Sequence, residues 1–457
     1  MLKLSCVFAG QLCLFVYISP LNTRNRKYRR PYNMKQITLL LLAIFFTINA
    51  SAQGLSNYLP ALNASIETIN SSKDTDDFKD LEIIGRLLQS RKVIGLGEAT
   101  HGTQEHVIFK ARLIKYLILK HNLRRIAFES EMIGTDRVNQ FVLNPEDKSS
   151  LNSILKGSMM FDVFISKELT ELISWIKDYN KDKSAIEKVH FEGMDMQYPA
   201  NAANKILNTP KLLSLLNEAE KRSLKEYTQV FKTDLFALVP EELLKRITLV
   251  NKTLATRIEN LSTRDSASIY TQYNTLLRQS IKMRNKSMFL QGYYRDRFMA
   301  DNTKWIADQM LQHQKIAVLA HNGHISEGLT AKRMAMGNWL KREFKGRYYA
   351  LALLAGEGYA RLYEDERKIN GLTKVALPPL SNLNSLESVF SKAKYENFFF
   401  DIRKASESND LKDFFKEDLY IRTIGPMLFS LVDIKINLKN SFDGLLFFRK
   451  TNAVTSN

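Results

Sequence analysis

Cysteine is nearly missing from this chain: its two copies, Cys6 and Cys13, both lie within the first fourteen residues. A mature chain that sheds that segment has no disulfide, no thiolate metal site and no cysteine to carry a lipid. Its stability must then come from a large core alone. Acidic residues are absent from positions 1–52, where seven lysines and arginines stand. Past that segment no apolar run is long enough to span a bilayer. No basic block interleaved with aromatics marks a nucleic-acid binder, so the remaining positive charge reads as solvated surface. No G-x-S-x-G elbow offers a serine nucleophile.

What is present suits a globular protein. The 457 residues are 45% hydrophobic and 25% charged, enough for one large domain or two of moderate size. From Met34 the chain reads as a secretory signal: Lys35, an apolar stretch from Ile37 to about Ile48, then Ala50 and Ala52 before Gln53. Residues 1–33 carry a further apolar run and a cluster from Arg24 to Arg30. They read as an over-called start upstream of Met34, the alternative being an extended leader or signal anchor. Cleavage would remove seven positive charges from the formal +18 and leave +11. The expectation is an exported chain, periplasmic or secreted, with no membrane attachment after cleavage, no nucleic-acid partner and an oligomeric state the sequence leaves open.

Organisation follows from Lys92–Thr103, K-V-I-G-L-G-E-A-T-H-G-T. An apolar run leads into a loop with a glutamate and a histidine, and Thr103 then stands as cap of a helix reaching about His121. Further strands are predicted at Ile126–Phe128, Val189–Phe191, Ile316–Ala320 and Tyr348–Leu354, with helices at Asp77–Gln89, Lys167–Tyr179 and Ala331–Phe344. Residues 199–305 read as an inserted helical subdomain or lid between core segments 53–198 and 306–457. Alternating units of this kind give an α/β class with a mostly parallel sheet flanked by helices. Glu98 with His101, Glu129, Asp195, and His321 with His324 each stand near the carboxyl end of a different strand. Such ends share one edge, where open α/β sheets place their chemistry. Singly, each has a plain structural reading: a cap, a hydrogen-bonded histidine, or Glu129 paired with an arginine. His106, His121, His190 and His313 read as structural.

The stretches G-E-A-T-H-G-T-Q-E (97–105), F-E (128–129), F-E-G-M-D (191–195), R-D-R-F-M-A-D-N (295–302) and A-H-N-G-H (320–324) together resemble the erythromycin esterase family. P-P-L-S-N-L-N-S-L-E (378–387), F-F-F-D-I-R (398–403) and F-D-G-L-L-F-F (442–448) extend the resemblance, so that it covers about 80–450. It implies an α/β core with a helical lid, and hydrolysis of a small-molecule ester or macrocyclic lactone, which in the named members is the ring of a macrolide antibiotic. Carried over by position, His101 is the general base, Glu98 and Glu129 the site carboxylates, and His321 and His324 the opposing histidines. Arg295, in the R-D motif, is the candidate site arginine, with Arg297 so close that the resemblance does not choose between them. A neutral imidazole can take a proton from attacking water while a carboxylate orients it, and His321, His324 or Arg295 would serve the oxyanion. No cofactor is expected. The same ligand types leave open a metal-dependent hydrolase or peptidase, and a non-catalytic haem or small-ligand carrier.

Overall fold

In the computed structural model eleven strands are seen among the described residues, which are 55–456 without 71–76, 159–161, 233, 235–236, 262–263, 329–333, 364–370 and 426–430. The expected leader and signal, residues 1–52, lie outside them. The strands are β1 (Ile66–Thr68), β2 (Val93–Leu96), β3 (Leu123–Glu131), β4 (His190–Asp195), β5 (Lys315–Leu319), β6 (Tyr348–Leu362), β7 (Thr373–Ala376), β8 (Asn397–Asp401), β9 (Leu419–Thr423), β10 (Val432–Ile436) and β11 (Gly444–Thr451).

Nine of them form one sheet in the order β1-β8-β11-β6-β2-β5-β3-β4, with β7 paired to β6. From β11 to β4 every neighbour is parallel. At the other edge β8 runs antiparallel to β11 and β1 antiparallel to β8. β9 and β10 make a separate antiparallel pair. The decisive feature is β5, which inserts between β2 and β3 although it begins at Lys315, far along the chain from Leu96 and Glu131 where those strands end.

Both faces of the sheet are apolar, as a sheet covered on each side requires. Side chains alternate across a strand. Thus Ile94, Leu96, Ile126, Phe128, Ala317 and Leu319 pack on one face with Phe109, Leu113 and Leu117 of the Gln104–Lys120 helix and Leu172 and Ile176 of Lys167–Asn180. Val93, Ala127, Ile316, Val318 and Ala350 pack on the other with Phe298, Met299 and Ile306 of the Met288–Asp308 helix. The helices Pro199–Leu207, Glu218–Val230 and Glu241–Glu259 add buried residues to the same apolar cluster by packing on other helices. Ala52–Asn457 cluster as one unit.

Most expected elements are present, with altered bounds. β2 is Val93–Leu96 as expected, whereas β3 runs to Glu131 and β4 to Asp195, because backbone pairing continues from Phe128↔Gly193 to Glu131↔Asp195 across an irregularity. Glu129 therefore lies within a strand rather than beyond it. Thr103 does precede the Gln104–Lys120 helix, but its side chain makes no cap hydrogen bond and its Oγ1 is buried without a partner. The helix expected at Ala331–Phe344 is Met336–Phe344, and 331–333 lie outside the described residues.

Candidate active site

The strand order sets the site. β2, β5, β3 and β4 are consecutive neighbours, so the loop after β2, the loop after β5 and the ends of β3 and β4 line up along about 15 Å of one sheet edge. Two glycines shape the first loop. Gly102 has φ +73°, and a Cβ there would meet the Arg361 backbone oxygen at 2.2 Å; a Cβ on Gly97 would meet Asn322 Oδ1 at 2.0 Å. Asn322 in turn donates to the Leu353 carbonyl at 2.8 Å, tying the loop after β5 to β6.

Glu98 and His101 form one pair, Oε1 to Nδ1 at 2.6 Å, both buried. The other Glu98 oxygen meets the ammonium of Lys110, from the helix on that face. Burial acts to raise the Glu98 pKa, but Lys110 and His101 outweigh it and hold the carboxyl well below its ordinary range. A carboxylate on Nδ1 fixes the proton there and leaves the Nε2 lone pair of a neutral ring as the base. Phe164 packs edge-on against the His101 ring at 4.8 Å, and the His321 ring lies at 5.5 Å.

His321 is committed on both nitrogens. Nδ1 accepts from the Gly323 N–H at 3.1 Å as the cap of a short helix, and Nε2 reaches the Ala99 carbonyl at 3.0 Å and Thr423 Oγ1 at 3.1 Å. Burial lowers its pKa to about 4, consistent with a neutral ring that donates through Nε2 to Ala99. The expected oxyanion donor thus spends its N–H on the loop that carries His101. Its backbone N–H donates to Glu129 Oε2 at 2.9 Å, which connects the two halves of the site.

The second half is built on Arg295. Its Nη2 donates to Glu129 Oε1 and Asp195 Oδ2, each at 2.7 Å, and Nε donates to Asp195 at 2.9 Å. Burial opposes the guanidinium charge, but Asp195 and Glu129 raise its pKa further above the ordinary value. For Glu129, burial acts upward and is outweighed by His324 and Arg295, which hold it well below the carboxylate range. His324 Nδ1 stands 2.5 Å from Asp296 Oδ1, and its Nε2 lies 2.9 Å from Arg295 Nη1 and 3.3 Å from Glu129 Oε1. Burial would lower the His324 pKa, but Asp296 and Glu129 dominate and bring it to about 9. The His101 ring is thus oriented by a carboxylate, while at His324 the neighbouring carboxylates favour the charged ring against burial.

Every residue expected in the site, His101, Glu98, Glu129, His321, His324 and Arg295, is in this network. Of the two arginines Arg295 is the one in this network, whereas Arg297 pairs with Asp301 on its own helix and lies over the Trp339 ring at 4.2 Å. Lys110 and Asp296 were not anticipated. Lys110 shares a helical stripe with Val107 and Ile114, so a lysine among apolar positions was the available signal. Asp296 had none beyond its place beside Arg295. Glu131, next to Asp195, caps the Met132–Leu143 helix through Gly134 N at 2.5 Å and accepts from Asn201 at 2.9 Å, and burial pushes its pKa up to about 7.

For a metal, the relevant quantity is lone pairs pointing at one place. His321 Nδ1 takes a backbone N–H, the Nδ1 atoms of His101 and His324 face carboxylates, and Glu98 and Glu129 are neutralised by Lys110 and Arg295. Among the described residues no group of three or more His, Cys, Asp or Glu side chains is arranged to hold a metal ion. The donors present fit proton transfer better than metal ligation.

The erythromycin esterase family model matches residues 118–451. A putative hydrolase, YbfO, of Bacillus subtilis is 26% identical over 407 residues, covering 80% of this chain and 87% of that protein. Erythromycin esterase type II of Escherichia coli is 23% identical over 415 residues, 83% of this chain and 94% of that one. Among solved structures, a succinoglycan biosynthesis protein superposes with TM-score 0.74 at 20% identity, covering 87% of this chain and 98% of its own. A mutant of the erythromycin esterase EreC in its open conformation superposes with TM-score 0.63 at 16% identity, covering 85% and 98%. These structures share the mixed α/β fold with a central sheet flanked by helices. Family membership supports a hydrolase, and with the match running over most of its length this chain belongs to the erythromycin esterase family.

Proposed function

We propose that the protein is an exported hydrolase that opens a small-molecule ester or macrocyclic lactone by attack of water activated on His101. The observation that carries this reading is the 2.6 Å contact of Glu98 with His101 Nδ1, while no described residue hydrogen-bonds His101 Nε2. That nitrogen takes a proton from water as its oxygen attacks the carbonyl carbon. The tetrahedral intermediate carries negative charge on the former carbonyl oxygen, and Arg295 and His324, held in the resting site by Glu129, Asp195 and Asp296, are the groups we assign to meet it. As the C–O bond to the leaving alcohol breaks, the proton held on His101 passes to the alkoxide; where His324 gives its proton instead, the one on His101 leaves to solvent and His324 is reprotonated. Water has then been divided between acid and alcohol, and no covalent enzyme intermediate is needed. Export rests on the signal-like segment ending before Gln53.

The test is mass spectrometry of esters and lactones, erythromycin among them, after incubation with residues 53–457 and with its His101→Ala variant. Gain of one water with the unaltered chain alone is the expected outcome. Equal turnover by a folded His101→Ala protein would remove His101 from the role of base.

A further inference from the structure

We propose that Lys110 is a positioning residue that keeps Glu98 a carboxylate and, through it, sets the proton affinity of His101. This deepens the reading of His101 as the base and rests on it. Lys110 is buried in the middle of the Gln104–Lys120 helix, between Phe109 and Ala111. A lysine there carries a desolvation penalty of several kcal/mol unless it is paired. Its recorded partner is Glu98 Oε2, while Glu98 Oε1 holds His101 Nδ1, so the carboxylate bridges an ammonium and an imidazole. Lys110 and Glu98 both line a cavity of about 30 Å³ whose other lining is mainly apolar, Phe128, Phe164 and Leu319 included, with Ser166. That is room for about two waters, which the ammonium could hydrogen-bond.

The consequence is a three-charge relay of fixed sign. With Lys110 present, the negative charge that Glu98 offers His101 is partly balanced. Without it, Glu98 stays ionised only by pairing with a protonated His101, which holds its proton more tightly and is disabled as a base until the pH is raised. The other titratable groups bearing on this trio are His106 on the same helix, and His321 and Glu129 from the adjoining strands. Burial lowers both His106 and His321 to about 4, so neither takes up a charge near neutrality.

The experiment compares residues 53–457 with the K110M, K110Q and K110R variants. The pH dependence of kcat/KM is measured with 4-nitrophenyl acetate, and the His101 ring titration by NMR with labelled histidine, assigned against H101Q. Removal of the charge is expected to move the acid limb and the His101 midpoint upward together by about one pH unit, about a tenfold loss of rate at the low-pH end, and K110R is expected to restore both. Unchanged midpoints in a folded K110M or K110Q protein would overturn the proposal. Should neither variant fold, carboxyl NMR of the unaltered protein decides: Glu98 ionised through pH 4.5 supports the role, and Glu98 titrating above that value overturns it. Failure of the ester reading is distinguishable, since it would show as no turnover with the His101 shift intact.

Discussion

Raising the pH from 6.5 to 9.5 should remove a defined part of this protein's stability, located at His324. Burial works against a charged ring there, yet Asp296 at 2.5 Å and Glu129 at 3.3 Å bring its pKa from 6.5 to about 9. A base whose folded pKa exceeds its unfolded one stabilises fully below the unfolded value, and loses that stabilisation as pH rises through the folded value. A gap of about 2.5 units at about 1.4 kcal/mol each amounts to about 3 kcal/mol. The comparison is with the double variant His324→Gln, Asp296→Asn, which keeps a neutral hydrogen-bonding pair and titrates at neither position. Urea unfolding at intervals across this range should show the free-energy advantage of the unaltered protein shrinking by about 3 kcal/mol, at a steady slope between about pH 7 and 8.5 and levelling off above about pH 9. A pH-independent difference would refute the reasoning. His324 would then be neutral at pH 7, with Nε2 accepting from Arg295 Nη1 at 2.9 Å, and it could not serve as the acid.

Two further outcomes test the surrounding structure. Arg295→Leu leaves Glu129 and Asp195 buried without their cation and should cost about 3–5 kcal/mol in chemical denaturation, whereas Arg297→Ala, which loses only a half-exposed pair and a ring contact, should stay much closer to the unaltered protein. Gly102→Ala should destabilise by about 1–3 kcal/mol, since the residue sits at φ +73° against the Arg361 backbone; the same melting temperature as the unaltered protein would show that the loop relaxes freely.

The sequence by itself determined the local units. Apolar runs such as Val93–Leu96 and Ile316–Ala320 have the length of buried strands, the second being observed one residue earlier at Lys315–Leu319, and the helix after Thr103 follows from periodicity. Because parallel strands end on one edge, Glu98, His101, Glu129, Asp195, His321 and His324 could be assembled without coordinates. Whether each nitrogen is free or spent was decided only by tertiary structure. His321 gives its N–H to Ala99 because that carbonyl arrives from a loop more than 200 residues earlier, brought alongside by the insertion of β5 between β2 and β3. Arg295 rather than Arg297 faces the carboxylates because of how its helix is rotated against β3 and β4, and two residues along a helix turn a side chain to nearly the opposite side. Lys110 and Asp296 come from helices on opposite faces of the sheet, and no local pattern marks what they touch. Periodicity reports which residues are buried; the charges that meet at the buried end of a sheet depend on strand order and helix rotation, which are properties of the whole fold.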